Sequence, residues 1–148
     1  MEIRKATAED LPQLAGLFDQ YRVFYRKASD RQGAEIFLKE RLLATESVIY
    51  VAVMENVLVG FTQLYPLFSS IRLKRIWLLN DLFVAPACRG KGISKSLIDA
   101  AKQWAKSTHS AGILLETEKT NSLANRLYPS AGFIPYDQTN FYFWNNPE

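Results

Sequence analysis

The period of the apolar positions changes several times along the chain, and each change marks an element. Met1 to Ala6 reads as a short strand. Thr7-Ala8-Glu9-Asp10 with Pro12 just beyond supplies a polar cap, early acids and an early proline, which together favour a helix start. Leu11, Leu14, Phe18, Tyr21 and Tyr25 then recur at helical spacing, and a second amphipathic segment with Ile36, Phe37, Glu40 and Leu43 follows the polar break around Ser29 to Gly33. Ser47 to Met54 and Val57 to Tyr65 are rich in valine, isoleucine and aromatics. With Glu55-Asn56 as a tight turn they predict a β-hairpin, which Pro66 to Ser70 breaks.

Arg72 to Val84 predicts a further, long strand. Its second half, Trp77-Leu78-Leu79-Asn80-Asp81-Leu82-Phe83-Val84, is an apolar run interrupted by two adjacent polar residues, and packing alone does not explain the interruption. After Pro86 comes Cys88-Arg89-Gly90-Lys91-Gly92-Ile93-Ser94, then a helix that keeps Leu97, Ile98, Ala101, Trp104 and Ala105 on one face. Gly112 to Glu116 predicts a short buried strand, and Asn121 to Ala131 a helix closed by Gly132. Phe133 to Tyr136 and Phe141 to Trp144, joined by Asp137-Gln138-Thr139-Asn140, read as a terminal hairpin. Strand, two helices, three strands, helix, strand, helix and two strands make an α/β order that mixes hairpins with crossover units.

No internal repeat, low-complexity tract or linker divides the sequence, so its 148 residues are expected to form one domain spanning 1–148. The formal charge of +3 comes from 18 basic and 15 acidic side chains scattered along the chain. Such a surplus suits nucleic acid, a membrane surface or a polyanionic small molecule equally well and does not choose among them. The single cysteine, Cys88, excludes an internal disulfide, and one cysteine with one histidine, His109, argues against a metal site. Met1 to Leu11 holds no apolar run long enough for a signal peptide, and no later segment reaches the length of a membrane span, so the expected location is cytoplasmic.

The chemistry concentrates in Arg89-Gly90-Lys91-Gly92-Ile93-Ser94, placed between an apolar strand and an amphipathic helix. Glycines there let the backbone turn tightly and approach a ligand with no Cβ in the way, and the unpaired amides of a helix start hold phosphate oxygens. A P-loop needs Gly-x-x-x-x-Gly-Lys-Ser/Thr, which is missing. The dinucleotide fingerprint fails because Lys95 stands where its third glycine belongs. Taken alone, the loop fits a phosphate cradle and a plain strand-to-helix connection equally.

The stretch Leu82-Phe83-Val84-Ala85-Pro86-Ala87-Cys88-Arg89-Gly90-Lys91-Gly92-Ile93-Ser94, with Leu97 following, resembles the acetyl-CoA signature of the GNAT superfamily: a strand, a proline, then Arg/Gln-x-x-Gly-x-Gly/Ala. Ser94 departs from the usual final glycine or alanine but is still small. The element order, Asn121, Leu127-Tyr128 and Gly132-Phe133 extend the resemblance over essentially the whole chain. Leu79 to Val84 and Ala124 to Tyr128 resemble the small enzymes that acetylate polyamines, amino acids or histone tails. The resemblance implies a single GNAT-type domain, with a mixed, mostly antiparallel sheet of about seven strands flanked by about four helices. It implies an N-acetyltransferase that moves acetyl from acetyl-CoA to a primary amine by direct attack in a ternary complex.

By that resemblance, the amides of Arg89, Gly90, Lys91, Gly92, Ile93, Ser94 and Lys95 hold the pyrophosphate. The backbone of Leu82, Phe83 and Val84 pairs with pantetheine, the Leu82 amide polarises the thioester carbonyl, and Asn121 bonds the pantetheine arm. Tyr128 is the general acid that protonates the departing thiolate. Polyamine acetyltransferases of this type carry a glutamate where this chain has Asn80, which cannot take a proton at neutral pH. Asn80 is then left to orient the amine or a relay water. Asp81 is the neighbouring carboxylate, but strand alternation turns it to the other face unless a bulge intervenes, and Glu116 and Glu118 stay open as alternatives. Asp19 and Asp30 are candidate ammonium partners, with Tyr21, Tyr25 and Tyr65 beside an alkyl chain or cation, while Arg22, Arg26, Lys27, Arg72, Lys74 and Arg75 in the same segments disfavour a polyamine. The acceptor is a small molecule or a peptide. The family further implies a homodimer through the aromatic terminal strand; nucleic acid is not expected as a partner, since the chain carries no basic helix and no aromatic-basic strand pattern, and neither is a membrane. A non-catalytic acyl-CoA-binding regulatory module is the alternative, because the glutamate is missing; the intact Tyr128 speaks against it.

Overall fold

The computed structural model describes residues 1–147, which divide into two compact units, the first Met1–Glu116 and the second beginning at Thr117. The first unit is built on a five-stranded sheet in the order β1-β2-β3-β4-β5, with β1 Glu2–Lys5, β2 Val48–Met54, β3 Val57–Ser69, β4 Lys74–Val84 and β5 Ile113–Leu114. The first four strands are antiparallel neighbours and β5 lies parallel to β4. Helices α1 (Leu11–Phe24) and α2 (Arg31–Leu43) separate β1 from β2, and α3 (Ile93–Ser107) is the crossover from β4 to β5.

The entry to α1 is fixed by local chemistry. Thr7 and Asp10 close a reciprocal capping box over a short 3-10 turn, and Pro12 occupies the first helical turn, where its missing N–H is not needed. Arg4 donates twice to the Asp10 carboxylate, at 2.8 and 2.9 Å, and so holds that carboxyl below its ordinary range. Leu11, Leu14, Leu17 and Phe18 of α1 and Ala34 and Leu38 of α2 bury their apolar stripes against Ile49, Val51, Leu58, Phe61 and Phe83 on one face of the sheet. On the other face, Ile93 and Leu97 of α3 pack on Ala52, Val59 and Val84.

Trp77 and Phe83 are six residues apart in β4, so a regular strand would aim both to one face. Yet Trp77 lies 5.7 Å from Trp104 of α3, whereas Phe83 contacts Phe61 and Tyr21 on the α1/α2 face. The register explains the switch: Gln63 pairs with Asp81 and Leu64 with Leu79, which leaves Asn80 as the extra residue of a β-bulge. The two polar residues that interrupt the apolar run are therefore the bulged residue and the first position after it.

The second unit contains α4 (Ser122–Ser130), capped at its start by Asn121, whose side chain accepts from the Ala124 N–H, and followed by Gly132 at φ +91°. Two sequence expectations need correction. The segments 133–136 and 141–144 form no strands, so the sheet has five strands where about seven were expected. β3 also does not stop at Pro66 but runs on to Ser69, with Pro66 opposite Trp77. β2 ends its pairing at Val48 opposite Leu64, so beyond Leu64 the strand has a neighbour on one side only and a proline is tolerated there. Among the described residues no helix is long and apolar enough to cross a membrane.

Candidate functional site

Two features meet at the end of β4. Strand β5 pairs with β4 only at Trp77 and Leu78, so from Leu79 to Val84 the edge of β4 away from β3 has no strand partner among the described residues. Such an edge offers backbone groups to an extended ligand as another strand would. Directly beyond it, a 3-10 turn at Pro86–Cys88 leads into Arg89, Gly90, Lys91 and Gly92 and the start of α3.

Gly90 and Gly92 both adopt φ +77°, a conformation open to glycine at no steric cost, and a Cβ placed on either would meet nothing within 4 Å. The ladder of α3 begins with the Ser96 N–H donating to the Gly92 carbonyl at 3.1 Å. The amides of Ile93, Ser94 and Lys95 thus precede it at the positive end of the helix dipole. An open cradle of backbone N–H groups is what a pyrophosphate requires. The side chain of Arg89 points back into the protein: its Nε donates to the Val84 carbonyl at 2.9 Å and its guanidinium stands over Phe83. Arg89 therefore ties the loop to β4.

The left-handed φ adds a cost to any substitution in this loop. Gly92→Val is expected to lose about 1–2 kcal/mol of stability to backbone strain. Binding of CoA, the ligand the resemblance implies, should weaken by about 10–100-fold, equivalent to one or two charge-assisted hydrogen bonds. Calorimetric titration beside a urea denaturation curve separates the two effects. Unchanged affinity in the folded variant would remove the loop from the site.

The bulge gathers a polar cluster on the α1/α2 face. Asp81 is buried; its Oδ2 accepts from Gln63 Nε2 at 2.8 Å and its Oδ1 from Asn80 Nδ2 at 3.1 Å. The Tyr21 hydroxyl donates to the Asn80 carbonyl at 3.3 Å, and the Thr62 hydroxyl donates to the Asp81 carbonyl at 2.8 Å. Burial raises the Asp81 carboxyl above its ordinary range, against the opposing pull of its hydrogen bonds from Gln63, Asn80 and Tyr21. Burial, reinforced by the Asp81 charge, pushes the Tyr65 hydroxyl up to about 12. The bulge that the sequence left as a condition is thus present, and it turns Asp81 toward the α1/α2 face while Asn80 itself stays exposed.

Other candidates are placed differently. Asp19 accepts from Ser29 Oγ and from the Asp30 N–H, at 2.6 and 2.7 Å, and Asp30 caps α2 through the Gly33 N–H at 2.9 Å. Both carboxylates serve the α1–α2 connection. Glu116 is exposed at the end of the first unit. Gln63 and Thr62 escaped the sequence reading. Their signal is a polar pair inside an otherwise apolar strand, of which Gln63 lies opposite Asp81 and Thr62 opposite Leu82.

Within the second unit, Tyr128 is half-buried near the end of α4, its ring 5.8 Å from that of Phe133 and edge-on to it. The side-chain Oδ1 of Asn121 accepts from the Ala124 N–H at 3.1 Å as the cap of α4, so its side-chain NH2 is the part suited to a ligand.

Comparison with known proteins gives a consistent result. The acetyltransferase (GNAT) family pattern matches residues 14–133. The uncharacterized N-acetyltransferase YhfO of Bacillus subtilis is 50% identical over 133 residues, covering 90% of this chain and 89% of that protein. A crystal structure of a probable acetyltransferase superposes with TM-score 0.95 at 40% identity, covering 100% of this chain and 99% of that one. An aminoglycoside N-acetyltransferase solved in complex with CoA shares the fold at TM-score 0.82 and 21% identity, covering 98% of this chain and 95% of that one.

Proposed function

The chain belongs to the acetyltransferase (GNAT) family and is an acetyl-CoA-dependent N-acetyltransferase; from that premise we propose that it acetylates a primary amine by direct attack in a ternary complex, acting as one domain over residues 1–148. The observation that carries this reading is the open glycine loop at the start of α3, set beside the unpartnered edge of β4. Acetyl-CoA supplies the activated thioester. The amides of Arg89 to Lys95 hold its pyrophosphate, the backbone of Leu82 to Val84 aligns the pantetheine arm, and the side-chain NH2 of Asn121 bonds that arm.

Asp81 takes the proton from the acceptor ammonium through a water at the bulge, and exposed Asn80 orients the amine. The neutral nitrogen then forms its bond to the acetyl carbon. The Leu82 N–H donates to the carbonyl oxygen as negative charge builds there. When the carbon–sulfur bond breaks, the Tyr128 hydroxyl supplies the proton that leaves CoA as a free thiol, and the second proton of the attacking nitrogen passes through water to the tyrosinate, which restores the phenol and leaves the neutral amide. No side chain is acetylated on the way. A carboxyl raised by burial suits the work of a general base better than an ordinary surface aspartate, because its proton affinity lies closer to neutral pH.

The acceptor is an amine bearing one charge, or one that also carries a carboxylate. Arg22, Arg26, Lys27, Arg72, Lys74 and Arg75 would repel a polyamine, and Asp19 and Asp30 are engaged in holding α2. The protein acts in the cytoplasm as a homodimer. Support for the pairing comes from Phe141, Tyr142, Phe143 and Trp144, all exposed to solvent. CoA release measured over a panel of monoamines, amino acids, basic peptides and spermidine tests the reading, with spermidine expected to be the poorer substrate.

A further inference from the structure

Gln63 is fully buried in the middle of β3, directly opposite Asp81 across the bulge. Its Nε2 donates to Asp81 Oδ2 at 2.8 Å, yet its Oε1 is buried with no hydrogen-bond donor among the described residues. A buried carbonyl oxygen without a partner costs about 1–3 kcal/mol, and a well-packed strand could avoid that cost with leucine or methionine. What Gln63 adds over leucine or methionine is its hydrogen bond to the buried Asp81 carboxylate.

A titrating carboxyl needs opposite partners in its two states: a donor when ionised, an acceptor when protonated. A carboxamide offers both, from two atoms of one uncharged group. Arginine or lysine would fix the carboxylate as charged, and leucine would leave both states unserved. The other groups that hydrogen-bond Asp81 are Asn80 from β4, whose Nδ2 donates at 3.1 Å, and Tyr21 from α1, whose hydroxyl also meets the Asn80 carbonyl; of the three only Gln63 is fully buried and directly opposite Asp81. Tyr65 from β3, with its hydroxyl pushed up to about 12 by burial and by the Asp81 charge, against the opposing pull of Arg41 of α2 and of its hydrogen bond with Gln63, stays neutral through the working range.

We propose that Gln63 is the positioning residue of the proton acceptor. Its amide holds Asp81 in both protonation states, donating from Nε2 to the carboxylate and, after a half-turn, accepting through Oε1 from the protonated carboxyl. The proton enters Asp81 from the acceptor ammonium and leaves to solvent at the end of the cycle, so nothing is oxidised or reduced. This inference rests on the assignment of Asp81 as proton acceptor.

The test follows the Asp81 carboxyl by ¹³C NMR titration in the full chain, beside the pH dependence of kcat/KM, for Gln63→Met and Gln63→Glu. Gln63→Met removes both bonds, and because the charge-assisted bond to the carboxylate is worth about twice the neutral one to the carboxyl, the proton affinity of Asp81 should rise severalfold, to about tenfold, and the acidic limb of kcat/KM should move upward by the same step, with activity restored at higher pH and acetyl-CoA affinity unchanged. Gln63→Glu keeps the size of the side chain and should move both further, since two facing carboxyls share one proton. Titration and limb unmoved in both variants, or a loss of rate equal at every pH, would overturn the proposal. A moved titration in a protein whose Asp81→Asn variant turns over normally would instead overturn the proton-acceptor reading on which it rests.

Discussion

Tyr128→Phe lowers turnover by about 10²–10⁴-fold, the usual contribution of a general acid, and leaves acetyl-CoA binding largely intact. The substitution removes one hydroxyl. The ring contact with Phe133 at 5.8 Å and the hydrogen bond from the Phe133 N–H to the Tyr128 carbonyl at 3.0 Å do not involve it, so α4 keeps its end. Single-turnover rates beside calorimetric binding make the comparison. If the variant turns over undiminished while chemistry limits the parent rate, Tyr128 has only a packing role.

The second large effect belongs to Asp81. Asp81→Asn should lower kcat/KM at pH 7 by about 10²–10⁴-fold, because the amide cannot accept a proton. The sign of the pH dependence follows from the raised folded value. In the parent, activity falls as pH drops through that value, and the variant lacks this limb. A carboxyl whose proton affinity rises on folding opposes folding wherever the unfolded chain would ionise it, that is, above about pH 4. The variant should consequently be at least as stable as the parent at pH 7 while much less active, a separation that urea denaturation and initial rates read together. A variant both unstable and slow at every pH would mark Asp81 as structural.

The sequence announces the parts that follow from periodicity and turn chemistry. Leu97, Ile98, Ala101 and Ala105 keep the buried face of α3, and Gly90 and Gly92 take the left-handed conformation that a tight cradle needs. What escapes it depends on partners distant in sequence. Pro66 reads as a strand end because its missing N–H matters only if a neighbour needs it, and β2 stops short of it. The terminal aromatics read as strands because alternation cannot show whether another strand is there to pair with them. The bulge at Asn80 is legible only as a misfit, two polar residues in an apolar run. Its resolution, with Gln63 facing Asp81, requires the register of β3 on β4. Asp19 and Asp30 look available to a ligand until the fold brings Ser29 and Gly33 to them.

The central claim is that this chain carries acetyl from acetyl-CoA to a primary amine without acetylating itself, and thiol release reports on it directly. With acetyl-CoA alone, the purified full-length protein should release no CoA beyond the buffer rate. With a primary monoamine or an amino acid bearing a side-chain amine, release should appear in step with N-acetyl product, one for one, and rise with pH as Asp81 ionises and can take the ammonium proton. Release of a stoichiometric burst of CoA before any amine is added, with acetyl left on the protein, or no amine-dependent release across the whole panel, would contradict it.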